Sequence, residues 1–367
     1  MSVKKPQKAK SKPKKKSSKK IKKPLIRGIL VFIALIIVAA SVIGYKYYKL
    51  IYKANIDLHG KETTYIYIPT NSNYQNVKDS LYKKDFIINK DAFEWLSVKK
   101  NYPNNIKSGR YLLKNGMTNN TLINMLRSGK QEPIKVTYNN IRTKKQLASR
   151  ISLQIEADSN ELFELLNNDD VIKSYNLKGD EIMCIFMPNT YELYWNTPAK
   201  QFIDKMYKEY QKFWNTDRKN KAAAIGLSPE KAVILSSIIY QETKKTDEMP
   251  KVAGVYINRI NKGIPLQADP TVIFAIGDFG IKRLLNDQLT INSPYNTYIN
   301  KGLPPGPICL PPPIVVEKVL DYEKHDYLYF CAKDDLSGYH NFAKTLEQHM
   351  QNARKYWAAL NRRNIRK

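Results

Sequence analysis

With 367 residues the chain is longer than a usual single domain, and 43% hydrophobic content supplies a sizeable core. A formal net charge of +28 invites a nucleic-acid partner, yet 13 of the Lys/Arg residues lie in the first 27 positions, with no acid among them. Four scattered histidines without an HExxH pair, and three cysteines without metal-ligand spacing, argue against a zinc hydrolase; no metal or redox cofactor is expected.

Residues 1–27 are low in complexity and poor in core-forming side chains, which predicts a disordered cytoplasmic tail. Gly28 to Tyr45, "GILVFIALIIVAASVIGY", carries no charged side chain. As a helix it rises about 27 Å, close to the hydrocarbon thickness of a bilayer. The preceding basic residues keep the N-terminus inside, and Tyr45, Tyr47 and Tyr48 fall where an interfacial aromatic belt forms. "VAAS" also resembles a signal-peptide cleavage site, but the long tail and an apolar run reaching Ile43 favour an uncleaved single-pass anchor in the plasma (inner) membrane. Residues 46–62 then read as a juxtamembrane linker, with everything after them extracytoplasmic. The tail suits orientation and lipid contact better than DNA, so nucleic acid is not an expected partner. The remainder is still basic and suits an acidic polymer. An odd cysteine count in that compartment leaves at least one unpaired. Cys184 and Cys331, in "IMCIF" and "LYFCA", read as buried free thiols; the state of Cys309 is open.

Residues 63–131 predict a small α+β module. Tyr65 and Tyr67 alternate with Ile66 and Ile68 as in a strand, and Val77, Leu81 and Tyr82 mark a helix. "DAFEWLSVKK" predicts a helix opened by Asp91; a strand, a glycine turn and a helix capped by Thr118 follow. Residues 132–227 form a connecting part. There a strand at "PIKVTY" precedes a helix opened by a Thr143–Gln146 capping box. Helices follow at "SNELFELLNN" and "TPAKQFIDKMYKEYQKFW", the latter with Thr197 as cap and Pro198 in its first position. Phe202, Met206, Tyr210 and Phe213 share one face of it. "IFMPNTYELYW" reads as a strand and loop. No repeat has a fixed period, and the class is α+β.

Residues 228–367 hold the candidate chemistry. In a helix starting at Ser228 and Pro229, the residues Leu235, Ile238, Ile239 and Glu242 form one stripe at helical spacing. Glu242 therefore continues the core-facing side, where lost hydration should raise its pKa and suit it to proton donation. The plainer alternative is an ion pair with Lys244 or Lys245 at a helix end. Downstream, "KVAGVYINRI" predicts another amphipathic helix and "GIPLQADPTVIFAIG" a loop carrying Gln267, Asp269 and Thr271. "SPYNTYINKGLPPGPI" adds Tyr295, Asn296, Thr297 and Tyr298 on a constrained loop. Such groups also occur in ordinary loops. Clustered near one buried acid, they have the chemistry of a sugar cleft.

These same stretches, with "GYHNFAKTLEQH", resemble the YceG-like family of membrane-anchored endolytic murein transglycosylases from Thr63 to about Trp357. The resemblance implies one transmembrane helix, a LysM-like module and a mixed α/β catalytic domain. It places Glu242 at the family's catalytic glutamate and Glu248 at a second acidic position, with Gln267, Asp269, Tyr295 and Asn296 as cleft-lining positions. Substrate contacts are expected at these and at Thr271 and Tyr298. Glu248 or Asp269 would orient groups, although a surface salt bridge is the simpler role for Glu248. Two departures stand out: Asn139 and Asn140 where relatives often carry Glu-Gly, and Asn189 in place of the aspartate of a frequent "PDTY". Neither place can then supply a necessary acid. The implied reaction cleaves the MurNAc-β-1,4-GlcNAc bond to 1,6-anhydro ends in nascent peptidoglycan strands, with peptidoglycan synthases as partners. A hydrolytic muramidase and a non-catalytic wall-binding anchor remain the alternatives.

Overall fold

A computed structural model describes residues 1–3, 23–281 and 283–363; most of the predicted basic tail lies outside the described residues. The chain is a mixed α+β protein of two compact units: residues 1–64, 73–106 and 113–128, and residues 65–72, 107–112 and 129–367.

In the first unit the predicted span lies within a longer helix, α1 (Lys23–Tyr52). Its stretch Ile26–Tyr52 is long and apolar enough to cross a membrane, and its side chains are largely exposed. Part of the expected linker is therefore helix, because Tyr47 and Leu50 have partners in the unit. Three helices, α2 (Tyr74–Tyr82), α3 (Lys90–Lys99) and α4 (Asn119–Ser128), form its body. Tyr47 meets Trp95 of α3 with ring centroids 5.2 Å apart, and Asn119 Nδ2 of α4 donates to Leu50 O at 3.0 Å. Buried Asn55 links the pieces, donating to Asn89 O and Asn119 Oδ1 and accepting from Asn89 N. The cap of α3 is Asn89, which accepts from Ala92 N; Asp91, the expected cap, lies in the first turn, where a negative charge still favours the helix dipole. Thr118 accepts from Thr121 N at 3.1 Å, as a cap should.

Strands β1 (Thr63–Ile68) and β2 (Gly109–Lys114) pair as a two-stranded sheet, with Ile66 and Ile68 buried and Tyr67 exposed, as alternation predicts. In the second unit β3 (Ile134–Thr137) runs antiparallel to β4 (Thr190–Leu193). Between them lie α5 (Lys144–Ser152), α6 (Ser159–Asn167) and α7 (Asp169–Ser174). Thr143 caps α5 through Gln146 N, while Gln146 Oε1 accepts from Arg142 N instead of closing the box on Thr143. Next come α8 (Ala199–Phe213) and α9 (Thr216–Ala224). The expected Thr197 cap does not form: its hydroxyl donates to Tyr194 O at 2.6 Å, and Pro198 becomes the cap residue.

The core is organised around α10 (Pro229–Glu242), buried on every side from Ala232 to Ile239. Such a helix needs neighbours all round. Among them are α11 (Met249–Asn261), α12 (Asp269–Ile276) and α13 (Pro313–Leu320). The stretch expected as a loop is thus helical from Asp269, since Pro270 suits a first turn and the apolar run after it has core to fill. An antiparallel hairpin, β5 (Tyr329–Ala332) with β6 (His340–Ala343), and the helix α14 (Leu346–Arg362) complete the unit. Cys184 and Cys309 are buried free thiols; Cys331, on the hairpin, is only half-buried, against expectation.

Gly254 of α11 marks a close approach. A Cβ there would lie 2.4 Å from Glu323 O and 2.6 Å from His325 Nε2. Gly254→Ala is expected to lose about 1–3 kcal/mol in urea unfolding, although alanine is the better helix former. An unchanged midpoint would show that residues 323–325 yield freely.

Candidate active site

Ser228 caps α10 by accepting from Lys231 N, and Pro229 occupies the first turn. The apolar run then carries the helix to its last residue, Glu242, in line with buried Leu235, Ile238 and Ile239. Two features of that position disfavour an ionised carboxyl: removal from water, and the partial negative charge at a helix C-terminus. Burial pushes the Glu242 pKa up from 4.5 to about 7; a hydrogen bond from Tyr256 opposes the rise and the charge of Asp269 adds to it. Neither lysine forms the alternative helix-end ion pair. Lys244 Nζ donates to Tyr240 O, and Lys245 Nζ lies over the Tyr339 ring.

Glu242 opens into a cavity of about 330 Å³. Helix α11 supplies Tyr256 and, one turn on, Arg259 to its wall. Tyr256 Oη donates to Glu242 Oε1 at 2.8 Å. Among the described residues, Glu242 makes no other side-chain hydrogen bond, so Oε2 stays available to a ligand. Gln267, Asp269 and Tyr298 form another wall. Gln267 has φ 54°, a left-handed conformation that a non-glycine residue adopts at a cost. Its Oε1 accepts from Arg259 Nη2 at 2.5 Å, and Tyr298 Oη donates to Asp269 Oδ1.

Buried motif residues hold these groups in place. Gln267 N donates to Thr297 O and Ala268 N to Thr297 Oγ1, both at 3.0 Å. Thr271 Oγ1 donates to Ala268 O and lies 2.8 Å from Thr297 Oγ1. Asn296, fully buried, donates to Leu289 O and Ile291 O and accepts from Tyr298 N. Thr271 and Asn296, expected at the substrate, therefore brace the wall instead of facing the cavity. Tyr295 turns elsewhere. Its hydroxyl donates to Asp180 Oδ2 at 2.7 Å, and its ring packs on Phe274 in a separate cavity.

Glu248 is buried, not part of a surface salt bridge, and it does not line the cavity. Its Oε1 accepts from His340 N at 2.8 Å and its Oε2 lies 2.6 Å from His340 Nδ1, joining the start of α11 to β6. The sequence reading missed Tyr256 and Arg259, and also Tyr329, Phe330, Leu346 and His349, which close the far side of the cavity. The i, i+3 spacing of Tyr256 and Arg259 in "VYINRI" was a usable signal for the first two. The hairpin and α14 residues are distant in sequence and gave none.

A carboxyl held near neutrality thus shares a cleft with tyrosines, an amide and a second carboxylate, groups whose chemistry suits proton transfer beside hydroxyls. A YceG-like family profile matches residues 66–355, and the chain belongs to that family. The endolytic murein transglycosylase of Bacillus subtilis (strain 168) is 29% identical over 324 residues, spanning 83% of this chain and 88% of its own. That of Streptococcus pneumoniae serotype 2 (strain D39) is 28% identical over 370 residues, covering 90% of this chain but 64% of its own length. A crystal structure of a yceG-like protein from Listeria monocytogenes aligns with TM-score 0.52 and 29% identity over 80% of this chain and 99% of that one.

Proposed function

We propose that the chain is a membrane-anchored lytic transglycosylase that cuts the MurNAc-β-1,4-GlcNAc bond within peptidoglycan strands and leaves 1,6-anhydroMurNAc ends. The observation that carries this reading is Glu242, held near pKa 7 at the end of a buried helix and oriented by Tyr256. The family and the names of its relatives supply the substrate class. Protonated Glu242 gives its proton to the glycosidic oxygen as the bond opens through an oxocarbenium-like state. The resulting carboxylate then takes the proton of the muramyl C6 hydroxyl, whose oxygen closes on C1. A nucleophile within the sugar itself lets one carboxyl serve both steps.

Helix α1 supplies the anchor, with the N-terminus cytoplasmic and the site outside; residues 63–131 act as a LysM-like module, and nascent strands beside the synthases are the target. A second reading rests on Asp269, which shares the cavity with Glu242 and could hold a water for hydrolysis. Digestion of purified peptidoglycan by the full chain in detergent, followed by mass spectrometry, separates the two. Products with anhydro ends, lacking the mass of water, are expected. Reducing ends would establish the muramidase, and no cleavage would leave only a wall-binding anchor.

A further inference from the structure

Arg259 is the buried cation of this cavity, and the proton transfers do not use it. It is only 7% exposed, and among the described residues its Nε has no hydrogen-bond partner. Its guanidinium gives Nη2 to Gln267 and forms no ion pair with any Asp or Glu among the described residues. Its other close company is aromatic, with Cζ 5.4 Å from the centroid of the Tyr329 ring. His349 stacks on the same Tyr329 ring, and among the described residues its buried Nδ1 is likewise unpartnered. A guanidinium has five N–H donors in a planar fork shaped for a carboxyl group, and burying one without an anion is costly. A site that keeps such a cation half-satisfied is built for an acceptor that arrives with the substrate.

On the murein reading above, we propose that Arg259, with Gln267 beside it, receives the carboxyl oxygens of the 3-O-lactyl group and so selects which sugar presents C1 to Glu242. The two alternating sugars share their acetamido and hydroxymethyl groups; the lactyl ether on O3 alone distinguishes the muramyl unit. That appendage ends in a carboxylate where the strand has lost its stem peptide, and in an amide carbonyl where the stem remains. Both present an acceptor oxygen to the fork, and the carboxylate adds charge. Neutral His349 Nδ1 offers one more polar contact on the same side: burial, and then the Arg259 charge, hold this imidazole below its ordinary range.

The test measures binding to full-length Glu242→Gln protein in detergent, with and without Arg259→Met. Three oligosaccharides of equal length serve as probes: stem-free murein glycan, stem-bearing murein glycan and a GlcNAc-only chain. Arg259→Met is expected to weaken stem-free glycan about 30-fold or more and the stem-bearing one less, with the GlcNAc-only chain unchanged. Its melting temperature should hold or rise, since an unpaired buried cation is removed; Arg259→Lys should retain part of the stem-free affinity. Equal weakening of all three probes, or no weakening of any, overturns the assignment of Arg259 alone. If the protein with Arg259 intact binds none of the probes, the murein reading falls and the assignment with it.

Discussion

Glu242→Gln is expected to abolish strand cleavage, by about a thousandfold or more, and at the same time to stabilise the protein above pH 7. The amide keeps the shape of the side chain and can still accept from Tyr256, but it has no proton to give. The stability effect follows from the raised pKa. Between 4.5 and about 7 the folded protein keeps the Glu242 proton while the unfolded chain has released it. Stability therefore falls as pH rises through that window, and the loss is complete above the folded pKa. At 1.36 kcal/mol per pKa unit, the shift corresponds to about 3 kcal/mol. Glutamine does not ionise and escapes the decline. Melting curves of the two proteins should nearly coincide around pH 4.5 and diverge in favour of Glu242→Gln by pH 8. Wild-type cleavage should weaken only as pH rises through about 7, where the folded protein loses the Glu242 proton. A stability gap that is constant with pH would show that the carboxyl is not held protonated.

Glu248→Ala should lower stability by about 3–5 kcal/mol and reduce cleavage without touching the reacting atoms. The carboxylate is buried where α11 begins, and its two oxygens take the backbone N and ring Nδ1 of His340. Truncation leaves both of those groups without their partner in the interior. The hairpin so released carries Tyr329 and Phe330 to the cavity, and Phe330 packs edge-on against Tyr256 with centroids 5.7 Å apart. Hydrogen exchange over residues 327–343 should quicken markedly in this variant. Glu248→Gln keeps an acceptor for His340 N and should be milder. Undisturbed exchange in Glu248→Ala would show that the hairpin is held by its apolar contacts alone.

Local physics made much of this protein legible in its sequence. Helix α10 was predictable because Ser228, Pro229 and an apolar run all point to the same start and the same buried stripe, and that stripe led to Glu242. Strand β1 was legible from alternation at Ile66 and Ile68. The misreadings have a shared cause: one polar side chain can bond in several directions, and tertiary partners decide which. Thr197 looked like a cap but spends its hydroxyl on Tyr194 O; Asn296 looked like a sugar ligand but satisfies two carbonyls inside the wall. Glu248 looked like a surface charge because nothing local reveals His340, 92 positions away. The far wall of the cavity, from Tyr329 to His349, was invisible for the same reason. Its residues are chosen by the packing of the hairpin and α14, not by any local periodicity.

Helix α1 has a mechanical meaning for the compact unit to which it belongs. It does not end at the apolar stretch but continues without a break to Tyr52, where Tyr47 and Leu50 are gripped by α3 and α4. A flexible tether would let its cargo swivel; a continuous rod clamped at its end cannot. If α1 crosses a bilayer, whatever tilt the lipid imposes on the rod is passed to α3 and α4. A thinner or thicker membrane would then re-aim those helices as well as change their height.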